Sequence, residues 1–173
     1  MGTAQSEAQA KAQSGRWGIQ AMDAVRLIGA TRAALAQARA VHDIVTEAWQ
    51  TQALAGAVGG HLAVHGPFEA RAAAGSLSEA GTRASGALRH TLRAGAIRAG
   101  QLTEVRDPWG ALAGLCGLLG EVGIALVGVA CSSGEDAMYW QCIEAIDAAD
   151  ETSDRVRWLQ RRLASREREG GAA

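Results

Sequence analysis

Four carboxylates, Glu144, Asp147, Glu151 and Asp154, recur at steps of three and four and so fall on one helical face. With Glu121 on a neighbouring helix, they are the side chains a small-molecule or metal-binding helical enzyme would use. The pattern departs from the helical di-iron arrangement, which takes a Glu-x-x-His pair from each of two helices, because the chain contains no Glu-x-x-His. The same residues suit a solvated acidic face. Glu121 is then expected to pair with an arginine from the Arg83 to Arg98 region.

His61 and His65 stand at i and i+4, a spacing that can put two imidazoles on one metal. Two ligands are not a site, and no His-Glu-x-x-His or cysteine pair completes them, so no metal is assigned. Cys116, Cys131 and Cys142 form no Cys-x-x-Cys. Cys116 and Cys131 would lie about 22 Å apart on one helix, too far to bond each other. Reduced thiols in a cytoplasmic protein are the reading that follows. Ser76, Ser78 and Ser85 belong to no nucleophile motif, and no Gly-Lys-Ser/Thr phosphate loop is present. No catalytic residue and no cofactor can be nominated.

Arg83, Arg89, Arg93 and Arg98 give one stretch a basic face. In a chain with a single lysine, Lys11, this reads first as a solvated arginine face and second as an anion or nucleic-acid contact. Glu121, Arg89 and Arg93 are the candidate ligand-binding residues. A net charge of −1 gives no bulk attraction to nucleic acid or acidic lipid.

The element that must position these groups is Asp107 to Ser133, the longest apolar run. Asp107-Pro108 reads as a helix start, an N-cap carboxylate followed by proline at the first helical position, and Ser132, Ser133 and Gly134 read as its stop. Leu112, Leu115, Leu119, Val122, Leu126 and Val129 make one stripe at steps of three and four. Gly110, Gly114, Gly117 and Glu121 make a flatter side that another backbone could approach. The run is expected to be the buried central helix and the least exposed element.

Its length also suits a membrane span. Glu121 near the centre would cost about 2.5 to 3.5 kcal/mol, by analogy with Asp, while each of nine Leu, Ile and Val residues returns about 0.3 to 0.6. Flanking charge argues against insertion: Asp107 to Asp154 holds no Lys or Arg, and only Arg106 could anchor an end. A span over 108–131 is the minor alternative to a soluble core helix.

The remaining chain reads as helices around this one. Residues 1–18 lack large apolar groups and are expected to form a disordered tail. Met22, Val25, Ile28, Leu35 and Ala38 mark a first helix. A second runs from about His42 or Asp43 to Ala63 with Ile44, Val45, Ala48, Leu54 and Val58 inward and Trp49 at the core edge. A bend or close crossing is expected near Gly59. From Pro67 to Val105 the inward members are Phe68, Ala72, Leu77, Ala84, Leu88, Leu92, Ile97 and Leu102, in two helices jointed around Arg89 to Gly95. Ser133 to Asp136 resembles a capping box that opens a last amphipathic helix to about Arg166. The fold class is all-α: a five- or six-helix bundle, one domain over 19–166, with a frayed C-terminus over 167–173.

The segments LGEVGIALVGVAC (Leu119 to Cys131), YWQCIEAIDAADETSDRV (Tyr139 to Val156) and MDAVRLI (Met22 to Ile28) resemble an uncharacterised family of small all-helical actinobacterial proteins. The resemblance covers Met22 to about Leu163. It implies a bacterial cytoplasmic setting and a possible start at Met22 in place of Met1, and it supplies neither a reaction nor a functional residue.

A non-enzymatic interaction or scaffold protein that self-associates is the expected function. Asp107 to Asp154 carries nine acidic residues while arginine is abundant on either side, so copies could pair by charge. A C-terminal helix of about 32 residues would reach roughly 48 Å. Its far end, with Trp158, Leu159 and Leu163, would need covering. Those three residues and Gly110, Gly114 and Gly117 are the candidate interface of a homodimer or larger homo-oligomer; a different protein partner is the alternative.

Overall fold

The computed structural model describes residues 22–88 and 97–170. Five helices occupy nearly all of them: α1 (Ala24–Gln37), α2 (Val41–His65), α3 (Phe68–Leu88), α4 (Pro108–Ser132) and α5 (Asp136–Gly170). The chain is all-α apart from a two-stranded parallel pair, β1 (Met22–Asp23) with β2 (Leu102–Glu104). A 3-10 turn, Arg98–Gln101, leads into β2. The helical reading of Ile97 to Leu102 is therefore corrected. The expected tail and the expected joint at Arg89 to Gly95 lie outside the described residues.

α4 starts where the sequence places its cap. Asp107 accepts a hydrogen bond from the Gly110 N–H at 2.8 Å, with Pro108 in the first turn. Asp23 caps α1 through the Val25 N–H at 3.1 Å, and its other oxygen accepts from the Arg106 N–H at 3.0 Å. One carboxylate thus fixes the start of α1 and the approach to α4. Gly66 ends α2 by donating to the Leu62 carbonyl, and Pro67 follows. At α5 the capping-box expectation fails: Ser133 Oγ accepts from the Glu135 N–H, a local turn two residues long.

α2 packs along α3, α3 along α5, and α5 along α4, which returns to α2; α1 lies against both α2 and α4. The six apolar stripe residues of α4 are all buried. So are Cys142, Ala149, Ser153, Val156, Leu159 and Leu163 of α5. Four inward assignments reverse. Val25, Phe68, Ala72 and Ile97 face out, and Ala24, Leu27, Ala70, Ala73 and Ala74 take core positions.

The close crossing expected near Gly59 is where α2 meets α3. A Cβ on Gly59 would stand 2.5 Å from the Ser78 backbone nitrogen, and one on Gly81 would strike the backbone of Gly56 and Gln52. No side chain fits between these backbones. Glycine costs each helix about 1 kcal/mol in intrinsic propensity, and the close approach is what it permits.

The least exposed long helix is α2, not α4. Each has 25 residues, and α2 buries twelve of them against nine for α4. The expectation that Asp107 to Ser133 is the least exposed element is overturned, because α1, α2 and α5 occupy only part of its circumference.

Candidate functional site

Glu121 is bound to α1. The Arg32 Nε–H donates to both carboxylate oxygens at 2.9 and 3.0 Å, and Arg32 Nη2 donates to the Gly114 carbonyl at 3.1 Å. The partner comes from the first helix rather than from Arg83 to Arg98. Both side chains are more than two-fifths exposed, so the pair is a surface clamp worth at most about 1 kcal/mol. It also accounts for the flat side of α4: Cβ atoms on Gly114 and Gly117 would meet Ile28 and Arg32 of α1. Gly110 folds back on its own cap, Asp107.

The arginines expected to form one face part company. Arg83 donates to Glu151 of α5 at 3.0 Å. Arg98 turns the other way and makes a two-pronged pair with Glu47 of α2, at 2.5 and 2.6 Å. Arg89 and Arg93 lie outside the described residues. The acidic face of α5 is partly neutralised by its own chain, with Glu151 near Arg83 and Arg155, and Asp154 near Arg157.

Leu159 and Leu163 are buried in the chain's own core, and Trp158 is half-buried with the Arg162 guanidinium 5.8 Å from its ring centre. The covering these residues were expected to need from a second copy is supplied within the chain. α5 runs 35 residues, or about 52 Å.

The His61 and His65 rings lie 4.6 Å apart, centre to centre. Burial and the neighbouring His65 push the His61 pKa down, against the pull of Glu104. Among the described residues no group of three or more His, Cys, Asp or Glu side chains is arranged to hold a metal.

The polar groups that sequence reasoning missed are buried ones. Glu47, Gln50, Thr51 and Gln52 form a buried polar block in α2. Gln50 accepts from the Arg98 N–H at 3.0 Å, Thr51 donates to the Glu47 carbonyl at 2.8 Å, and Gln52 accepts from Thr152 of α5 at 2.8 Å. One signal was available: Glu47 and Thr51 share the phase of Leu54, Val58 and Leu62, and Thr152 shares that of Ala149, Val156 and Leu159.

Among the described residues, two surfaces stand open to chemistry or to partners. One is the outward side of α4, where Ala113, Gly117, Gly120, Ile124, Val127 and Cys131 are exposed at steps of four and three. Ile124 is 76% exposed. Among the described helices, α4 alone is long and apolar enough to cross a membrane. The other is a cavity of about 180 Å³ between the last turns of α3 and the first half of α5, which opens into a trough bearing Glu144, Asp147 and Glu151.

Fold and site together define a small all-α protein in which the Arg32–Glu121 and Arg83–Glu151 ion pairs and the Thr152–Gln52 hydrogen bond join helix to helix. The chain belongs to DUF6099, a family of unknown function whose model matches residues 22–162. No curated protein and no solved structure matches it.

Proposed function

We propose that this protein is a non-enzymatic helical scaffold that pairs with a second copy of itself through the outward side of α4. The observation that carries the reading is the order of residues along that side. Its N-terminal half is small (Ala113, Gly117, Gly120) and its C-terminal half is bulky (Ile124, Val127, Cys131), and all six are exposed, Gly117 at the edge where Arg32 of α1 lies against it. A two-fold axis near residue 122 that crosses two copies antiparallel lays the bulky half of each on the small half of the other. Such a face is self-complementary, as an isologous dimer requires. Three free thiols fit the cytoplasmic setting that goes with this reading.

Sedimentation at micromolar concentration tests it. A dimer is expected for the natural chain, and a monomer for Gly120→Leu and for Ile124→Glu. A Cβ at Gly120 meets nothing within 4 Å in the single chain, so Gly120→Leu is expected to disturb the partner more than the fold. A natural chain that sediments as a monomer, or a dimer indifferent to both substitutions, defeats the proposal.

A further inference from the structure

The cavity beside α5 has a composition that selects a ligand. Val45, Leu126, Met138 and Cys142 supply its apolar wall, and Ala84, Ala87, Ala145 and Ala148 leave the room that larger side chains would fill. Its volume, about 180 Å³, is comparable to the roughly 150 Å³ that accepts one benzene ring in an apolar protein interior. Two sulfur-bearing side chains in that wall suit the edge of an aromatic ring.

The mouth has the opposite character. Ala84, Ala87, Glu144 and Ala148 are shared with the adjoining trough, which adds Ala80, Arg83, Asp147 and Glu151. Arg83 is the cation of this trough among the described residues, and it is engaged by Glu151, which Arg155 also approaches. Glu144 and Asp147, one turn apart on α5 and both exposed, have no ion-pair partner among the described residues. A ring-sized chamber, apolar but for Gln141 and Glu144, thus opens beside Glu144 into a trough where Asp147 follows one turn along, neither carboxylate being ion-paired among the described residues.

We infer that this cavity binds a small organic cation, an ammonium or guanidinium carried on a single ring or a short apolar chain. The apolar body enters among Leu126, Met138 and Cys142, and the cationic head stays at the mouth against Glu144 and Asp147. A carboxylate-bearing ligand of the same shape is repelled there. Burial pushes the Cys142 thiol up, which keeps it protonated and part of the neutral wall. The site lies apart from the outward side of α4 and does not depend on the dimer proposed above.

Met138 makes the test direct, because the chain has only three methionines, Met1, Met22 and Met138. With methyl-labelled methionine in the full chain, 4-phenylbutylammonium is expected to shift the Met138 signal saturably. 4-Phenylbutyrate, with the same body and the opposite charge, is expected to leave it nearly unmoved. Glu144→Gln with Asp147→Asn, both at exposed positions, should keep the fold and weaken the ammonium about tenfold. An unshifted Met138 at millimolar ammonium, equal response to the two probes, or an affinity unaffected by the double substitution each overturns the assignment.

Discussion

α2 and α4 have the same length and opposite economies. α2 carries Glu47, Gln50, Thr51 and Gln52 and is the more buried; α4 carries one charge and leaves Ile124 and Val127 in solvent. Hydrophobicity therefore does not rank these helices by burial. Position in the packing does, since α2 is contacted by α1, α3, α4 and the turn at Arg98. Polar side chains survive there because each finds a partner from another element or from its own turn: Arg98 for Glu47, the Arg98 backbone for Gln50, Thr152 for Gln52. Trp49 Nε1 is the exception, buried with no hydrogen-bond partner among the described residues.

The sharpest way to break this contrast is at the Glu47–Arg98 pair. Arg98→Met should cost about 3 kcal/mol, because it leaves a carboxylate buried and unpaired, and Glu47→Met with Arg98→Met should recover much of that loss. Urea unfolding of the two variants measures the difference. If the single substitution costs no more than an exposed pair would, the polar block of α2 does not hold the chain together.

Glycines sharpen the comparison. Gly59→Ala on α2 drives a methyl group against the Ser78 backbone and should destabilise by about 1 to 3 kcal/mol. Gly120→Ala on α4 meets open space and should stabilise the single chain by up to about 1 kcal/mol through helix propensity alone. Thermal unfolding under conditions that keep the chain monomeric would show shifts of opposite sign. Shifts of the same sign would mean that the two helix surroundings had been misjudged.

The smallest effect belongs to the clamp on α4. Glu121→Gln should cost less than about 1 kcal/mol, and that cost should shrink in high salt, as expected for a half-exposed pair. A loss of several kcal/mol, indifferent to salt, would return Glu121 to the role of a buried functional carboxylate.

Much of the framework was legible in the residues because it rests on local rules. Asp107-Pro108 starts a helix by its own chemistry, Gly66-Pro67 stops one, and the Leu112 to Val129 stripe announces its inward side. The family resemblance was legible too. What was not legible depended on distant partners. Arg32 lies 89 residues from Glu121, and Arg98 lies 51 from Glu47, so nothing in either neighbourhood names the other. Phe68 misled for a related reason: glycines set the α2–α3 crossing, Ala70, Ala73 and Ala74 fill the inward side of α3, and Phe68 is left outside at 81% exposure. The outward stripe of α4 is not legible because Ile124 and Val127 are as apolar as the buried residues beside them.

The carboxylate of Asp23 imposes an order on synthesis. One of its oxygens holds the start of α1 and the other waits for the Arg106 amide, 83 residues downstream. At about 5 to 20 residues per second, that amide leaves the ribosome roughly 4 to 17 seconds later. During this interval α2 and α3, neighbours in sequence, can already close their glycine crossing, while α1 lacks both its β2 strand and the Glu121 clamp. A nascent chain halted before Leu102 should therefore present α1 as the segment open to chaperones and proteases. The first of the five described helices to be translated would be among the last to be fixed in place.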